Sequence, residues 1–437
     1  VNSDGDMRFY KKLHDRSSAL VFSTLQNRFF LWNLFGNIGP LALGLFAIPY
    51  IYGHATKEYV GFLTLTWAAI GYTGLFDFGL SRALFYFSSM GKSDVTIDIG
   101  GMIVRSTMFA LAIAAVINAL VYLMKGSLTY RLGITASDQA QALYIVSASL
   151  PIYLVSNMIR SSLEGMELFR QANIFKFVAY LSLFVCPAAL VSLGDRSLAH
   201  VCSLYGVIRL LGTLYALAAL MPHLRERRRG GANTTVIPLR KVLGFGGWAT
   251  VSSTISPLMV YGDRFAIAYF SGASAIAIYA LLQELIGKTI LLSASYVTSI
   301  QPRLSYLSKN EALILYRREN KNVAVLSIGL YASCLLVSPF FVAFWLNVSV
   351  REVAFLAIIM SIGFMFNSMA QAPLAYLLAR GQPRRVAFSH IIEATLYFPL
   401  LIIAAMHYGV AGAAIVGVLR QIFDYGILSW QARQPTA

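Results

Sequence analysis

The sequence predicts an all-α protein that crosses a membrane twelve times, and three observations carry that prediction. Of its 437 residues, 57% are hydrophobic and only 12% charged, where an ordinary soluble domain is about one quarter charged; the mean hydropathy is +0.65. Apolar runs of about 20 residues, each able as a helix to cross about 30 Å of hydrocarbon, recur from Phe29 onward. Basic residues gather in alternate connections between those runs, on one side of the bilayer.

Taken in order, the spans are 29–52, 59–89, 99–124, 140–163, 172–194, 198–221, 243–270, 275–300, 323–346, 353–379, 386–407 and 411–430. Arg8, Lys11, Lys12 and Arg16 precede the first span, and polar punctuation separates the rest. Connections on the N-terminal side carry Lys92, Arg170, the cluster Arg225, Arg227, Arg228, Arg229, Arg240 and Lys241, then Arg303 to Lys321, then Arg380, Arg384 and Arg385, with Arg433 at the tail. The opposite side holds Lys57, Lys125, Arg131, Arg196 and Arg351. This positive-inside pattern places both termini in the cytoplasm, so the formal charge of +16 reflects topology and excludes the nucleic-acid reading it first invites. Pro40, Pro257, Pro373 and Pro399 fall inside spans and predict kinks that neighbouring helices accommodate.

The polar opening lacks a short apolar core with a small-residue cleavage site, so the first span is expected to be retained. Cys186, Cys202 and Cys334 sit in spans without paired spacing and read as packing residues, which argues against a disulfide framework or a metal site. Gly91-Lys92-Ser93 and Gly287-Lys288-Thr289 imitate the end of a phosphate loop, but Tyr86 and Leu282 stand where its first glycine belongs. Asn347-Val348-Ser349 fits a glycosylation sequon, a short pattern that also arises by chance. The connection "QPRLSYLSKNEALILYRRENKN" (301–322) intersperses Leu304, Leu307, Ile314 and Leu315 with Arg and Lys, which predicts an amphipathic helix lying on the inner leaflet.

The loop "HLRERRRGGANTTVIPLRK" (223–241) is the sharpest change of composition and divides the spans six and six. The predicted organisation is a cytoplasmic segment 1–28, a first lobe 29–221, a basic linker 222–242, a second lobe 243–430 and a tail 431–437. The halves resemble each other. At an offset of 217, Ile38-Gly39-Pro40-Leu41 aligns with Ile255-Ser256-Pro257-Leu258 and Phe62 with Tyr279; at an offset of 211, "YGVIR" (205–209) matches "VGVLR" (416–420). An even number of spans per repeat makes the copies parallel, related by an axis along the membrane normal and facing a central cleft.

Charges inside spans are the candidate chemistry. Asp77, Arg209, Asp263, Arg264, Glu284, Lys288, Glu393, Arg420 and Asp424 lie deep, while Arg82, Arg105, Arg160 and Lys176 lie nearer the cytoplasmic ends, where they can snorkel. A deep Arg or Lys facing lipid costs about 3 kcal/mol, so Arg209, Lys288 and Arg420 together cost about 9 kcal/mol, comparable to the whole stability of a typical domain. They must therefore face a wet cavity or a partner. Glu284 and Lys288 share a helical face at i and i+4, as do Arg420 and Asp424, and each couple reads either as an internal staple or as part of a binding surface. A polar passage lined by cations suits a phosphorylated lipid, because Arg and Lys replace the hydration of a pyrophosphate with charge-assisted hydrogen bonds. Glu284 beside Lys288 could compete with that anion or titrate, and His390 with Glu393 at i and i+3 forms a second candidate proton site.

With those residues in place, "IPYIYGHATKEYVGFLTLTWAAIGYTGLFDFGLSRALFYFSS" (48–89), "YGDRFAIAYFSGASAIAIYALLQELIG" (261–287) and "SSLEGMELFRQAN" (161–173) resemble Wzx-type polysaccharide flippases of the multidrug/oligosaccharidyl-lipid/polysaccharide exporter superfamily. The resemblance covers about residues 29–430. It implies two six-helix bundles in a V, similar to the multidrug and toxin extrusion (MATE) exporters, alternating between inward- and outward-open forms. The implied activity is transfer of undecaprenyl-pyrophosphate-linked oligosaccharide from the cytoplasmic to the periplasmic leaflet of a bacterial inner membrane. Carried over to matching positions, it implies Asp77, Arg82, Asp263, Arg264 and Lys288 as functional residues, with Arg28 on the first helix; the residue reading adds Arg420 to the cavity and Glu284, His390, Glu393 and Asp424 to coupling or gating. No enzyme activity or cofactor is expected, proton or sodium coupling fits, and the expected partners are the polyprenyl-pyrophosphate-linked oligosaccharide, membrane lipids and other polysaccharide-assembly membrane proteins. The competing readings are a MATE-like small-molecule exporter and a membrane-embedded glycan polymerase or ligase.

Overall fold

A computed structural model describes residues 3–91, 97–124, 137–229, 235–271, 273–346 and 349–434. Lys92, Lys125, Arg131 and most of the Asn347 sequon lie outside the described residues, as do the side chains of the first 26 residues. The described elements are helical, in the order α1 (Ser3–His54), α2 (Lys57–Tyr72), a 3₁₀ turn (Thr73–Leu75), α3 (Leu80–Met90), α4 (Ile99–Leu123), α5 (Ser137–Gly165), α6 (Phe169–Ser192) and α7 (Leu198–Arg229) for the first half. The second half comprises α8 (Leu239–Ser271), α9 (Ala273–Lys288), α10 (Ile290–Tyr306), α11 (Lys309–Leu346), α12 (Val350–Ala379) and α13 (Pro383–Arg433).

These elements make the expected twelve crossings. At 1.5 Å per residue, the 51 residues of α13 would span about 77 Å, far more than one bilayer. The helix turns back at Gly409, whose φ of 56° and ψ of −135° break the helical path, and positive φ there favours glycine. Contacts across the turn are antiparallel, pairing Glu393 with Arg420 and His390 with Asp424. The pairs α2/α3 and α9/α10 each form one broken crossing. The first break has a local cause: Asp77 accepts the Gly79 N–H at 2.7 Å, and Phe78 and Gly79 adopt φ of 48° and 69°, an Asx-type turn that stops one helix and starts the next. At the repeat offset of 217, Tyr72, the last residue of α2, corresponds to Thr289, the single residue separating α9 from α10. The duplication visible in the sequence thus reappears as a duplicated interruption.

Within each half the helices pack as bundles: α5 on α7, α1 on α6 and α3 on α5 in the first, α8 on α13, α11 on α12 and α12 on α13 in the second. The first half's core gathers Leu80, Leu84, Leu154, Met158 and Phe175, and it also takes in Val242 from the opening turn of α8; the second half's core gathers Met259, Ile267, Leu282, Val353 and Leu401. At the connection between α6 and α7, Asp138 reaches from the first turn of α5 to accept the Leu198 N–H at 2.8 Å and the Ser197 hydroxyl at 2.6 Å, capping α7 with a negative charge where the helix end is positive. In the same connection the Ser197 N–H and His200 hold the Asp195 carboxyl below the usual carboxylate range.

Two expectations change. The segment 301–322 is not a single surface helix: its first residues complete α10 and the rest open α11, a 38-residue helix, with Leu304, Ala312 and Leu315 buried against Tyr376, Ala379 and Ala432. Its apolar residues alternate with charge because one face packs on α12 and α13 while the other meets solvent. Likewise α1 begins at Ser3, far ahead of the expected span at 29. Cys186 and Cys202 are buried and Cys334 is half-buried, all as free thiols.

Candidate functional site

Contacts that join the halves gather toward the end of the bundle that carries both chain termini. There α1 packs on α10, and α3 packs on α8 and α10. Asn33 donates to the Ser295 carbonyl at 3.3 Å and Asn37 to the Ser295 hydroxyl at 2.8 Å. Tyr86 stacks on Phe245 with centroids 4.7 Å apart, Tyr306 donates to Glu167 at 3.3 Å, and Arg303 pairs with that same carboxylate at 3.8 Å. Gly79 and Gly246 cross so closely that a Cβ on Gly246 would lie 2.7 Å from the Phe78 carbonyl oxygen, so only backbone without side chains fits. The distal arms α2 and α9 instead pack within their own halves. The terminal end is therefore shut, and the distal arms lie outside these contacts between the halves.

Helical geometry relates Arg264 to those contacts. Arg264 follows Gly246 by 18 residues, five full turns, so it lies on the face of α8 that meets the first half. Lys288 is the last residue of α9, one turn after Glu284 on the same helix. Arg264 donates to Glu284 at 2.9 Å, and Lys288 pairs with the other oxygen of Glu284 at 3.3 Å. One carboxylate thus holds two cations, with Lys288 still 59% exposed. Arg264 also donates to Gln283 at 2.6 Å and lies 4.9 Å from the Tyr261 ring centroid, which fixes the guanidinium as a plate against the helix. Behind it, buried Asp263 accepts from the Tyr279 hydroxyl, from Gln283 at 3.0 Å and from the Arg264 backbone N–H at 2.7 Å. Asp263 is a scaffold for the pair in front of it.

A second cluster is buried between α8 and the two arms of α13. Arg420 donates to Glu393 at 2.9 Å and lies 5.5 Å from the centroid of Tyr397. The i,i+4 spacing of Arg420 and Asp424 suggested a pair; instead Asp424 faces His390 at 3.6 Å, and the other nitrogen of His390 meets the Ser252 hydroxyl at 2.8 Å. Antiparallel packing wins because the neighbouring arm presents Glu393 directly opposite Arg420. The ligand atoms of His390, Glu393 and Asp424 lie within 4.8 Å of one another, and Glu393 Oε2, in a side chain only 2% exposed, has no hydrogen-bond partner. A void of about 20 Å³, room for one water, is lined by both Asp263 and Arg420 and so joins the two clusters.

The first half contributes a different set. Arg82 is exposed on α3, on the same face as Tyr86, whereas buried Asp77 spends one oxygen on the turn that starts α3. Arg28 is exposed on α1 at the shut end, one residue before Phe29, whose ring lies beside Arg303, and stands apart from the Arg264–Glu284–Lys288 group. Sequence reasoning missed Gln283 and Tyr279, which orient Asp263, and the asparagines Asn33 and Asn37, the latter also accepting from Lys176. Polar residues in apolar spans at positions 33 and 37, one turn apart, were the signal available.

The backbone shares its arrangement with solved transporters. It matches the Vibrio cholerae MATE transporter VcmN in its bent form with a TM-score of 0.72, at 16% identity over 95% of this chain and 97% of that one. It matches a superfamily transporter from Pyrococcus furiosus, whose binding pocket is described as having reversed polarity, with a TM-score of 0.71 at 15% identity over 94% of each chain. In sequence, the chain is 28% identical to the Shigella flexneri protein named "Putative O-antigen transporter" over 92% of this chain and 96% of that one. The profile of one family runs from residue 30 through the first half, across the linker and into α11's approach at residue 308, taking in the broken crossings, Arg264 and Lys288. With that match over more than half its length, this MATE-like membrane protein belongs to the polysaccharide biosynthesis protein family.

Proposed function

We propose that the protein flips an undecaprenyl-pyrophosphate-linked oligosaccharide from the cytoplasmic to the periplasmic leaflet of the bacterial inner membrane, with both termini in the cytoplasm. The observation that carries this reading is the Arg264–Glu284–Lys288 group: two cations from consecutive helices, sharing one partly exposed carboxylate. A pyrophosphate offers the cations more oxygens than Glu284 does, so the head can displace the carboxylate on binding, and Glu284 can reclaim the cations on release. The polar head crosses in the cleft between lobes 29–221 and 243–430 while the polyprenyl tail stays in lipid. A family membership in polysaccharide biosynthesis and the named O-antigen relative support the cargo class.

The buried His390–Glu393–Asp424 group supports coupling to a proton or sodium ion. It offers one imidazole and two carboxylates beside a fixed cation, Arg420, and the water-sized void connects it to Asp263 behind Arg264. Taking up a cation there would loosen Glu393 from Arg420, and through Asp263 and Gln283 the change reaches Arg264.

The test is leaflet accessibility of a defined pyrophosphate-linked sugar in proteoliposomes, with and without an imposed proton or sodium gradient. Lys288→Ala and Arg264→Ala should each lower flipping at least tenfold with membrane insertion unchanged. Flipping at the wild-type rate by both variants would remove the cluster from the cargo's path.

A further inference from the structure

Within the contacts that shut the terminal end lies a cavity of about 260 Å³, room for several waters at about 30 Å³ each. It is lined by none of Arg264, Glu284 and Lys288. The first half contributes Arg82, Arg160 and Ser161, and the second contributes Thr298 and Gln301, with the stacked Tyr86 and Phe245 as part of its wall. Arg160 is held by Glu164 at 2.7 Å, whereas Arg82 makes no hydrogen bond or ion pair among the described residues. On the lining itself Arg82, Arg160 and Glu164 leave one positive charge facing a neutral wall, with buried Asp77 behind the arginines. Thr298 donates its hydroxyl to the Ala294 carbonyl at 2.8 Å, so among the described residues the donor the second half leaves on this lining is the Gln301 amide.

We propose that this cavity is an oxyanion site for a phosphate or pyrophosphate group, and that its occupant ties the halves together and holds the terminal gate shut. The guanidinium fork of Arg82 and the outer edge of Arg160 match the tetrahedral oxygens of such an anion, and Gln301 reaches them from across the gate. These donors face one cavity only while α3 rests on α8 and α10. An anion that uses both sides therefore binds the shut gate more tightly than the open one, and shifts the equilibrium by that difference in affinity. The site does not depend on which cargo the protein carries.

The experiment reads gate state as the distance between spin labels at Tyr52→Cys and Tyr269→Cys, at the distal ends of α1 and α8, in nanodiscs, with Cys186, Cys202 and Cys334 replaced by Ala. Inorganic pyrophosphate should raise the population with separated distal ends, where sulfate at matched ionic strength does so at least tenfold less potently. Arg82→Gln and Arg160→Gln should each raise the half-effective concentration at least tenfold. Gln301→Glu should place the negative charge in the cavity permanently, giving the separated distribution without added anion and no further response. A short prenyl pyrophosphate acting at lower concentration than inorganic pyrophosphate would assign the group to a lipid head; equal potency would assign it to a soluble anion, and either supports the site. An unchanged distance distribution in the wild type, or wild-type responses in the arginine variants, would overturn it.

Discussion

Arg209 and Arg420 end the same repeated motif in the two halves, and each is buried inside its own bundle, yet they are held by opposite chemistry. Arg209 donates to the Ser156 hydroxyl and the Asn157 amide oxygen, both at 2.7 Å, and lies between the rings of Tyr153 and Phe175, each 5.0 Å from its guanidinium carbon. No carboxylate pairs with it among the described residues. Among the described residues Arg420 has one ring, Tyr397, and the carboxylate of Glu393, beside His390 and Asp424. Duplication gave both halves a buried cation; divergence left the first half with its positive charge dispersed over dipoles and π faces, and gave the second half a carboxylate counter-charge with an imidazole and a second carboxylate beside it.

Breaking the acidic side has the largest expected effect. Glu393→Ala removes the carboxylate that pairs directly with buried Arg420, a loss of about 3–5 kcal/mol, read as a fall in thermal unfolding temperature in detergent. Glu393→Gln keeps a neutral acceptor and so converts the second half to the chemistry of the first. That variant should fold, and its flipping should lose at least tenfold of its response to an ion gradient. A Glu393→Gln protein that still responds fully would place coupling elsewhere.

The corresponding change in the first half is milder. Ser156→Ala removes one of two neutral acceptors from Arg209 and costs about 1.5–3 kcal/mol, the range for a hydrogen bond to a charged group. Its unfolding temperature should fall less than that of Glu393→Ala, and its dependence on an ion gradient should stay that of the wild type. A shifted ion dependence in Ser156→Ala would mean that the first half also participates in coupling.

The sequence resolved the crossings and the repeat well, because apolar length and punctuation act locally, and the same offset that aligned Phe62 with Tyr279 also fell on the paired breaks at Tyr72 and Thr289. Partners were less legible. Helical spacing showed that Glu284 and Lys288 share a face, but Arg264 approaches from another helix, and which helix packs beside which is set by tertiary contacts that periodicity does not encode. For the same reason Arg420 was matched with Asp424 on its own helix, when the antiparallel arm brings Glu393 closer. Position 301–322 misled because a helix packed on one face and wet on the other has the same amphipathic pattern as one lying on a bilayer.

The smallest effect separates the rings. In the first half Arg209 is covered on two sides, so removing Tyr153 leaves Phe175 in place; in the second, removing Tyr397 strips the ring recorded over Arg420. Double-mutant cycles of Tyr153→Leu with Arg209→Met and of Tyr397→Leu with Arg420→Met cancel the packing loss common to each pair and isolate the ring–cation coupling. That coupling should be about 1–2 kcal/mol for Tyr397 with Arg420, and about 0.5–1 kcal/mol for Tyr153 with Arg209. Unfolding measured for all members of both cycles decides it. Equal couplings would mean that the carboxylate already screens Arg420 as fully as the second ring screens Arg209, and the contrast between the halves would then rest on Glu393 alone.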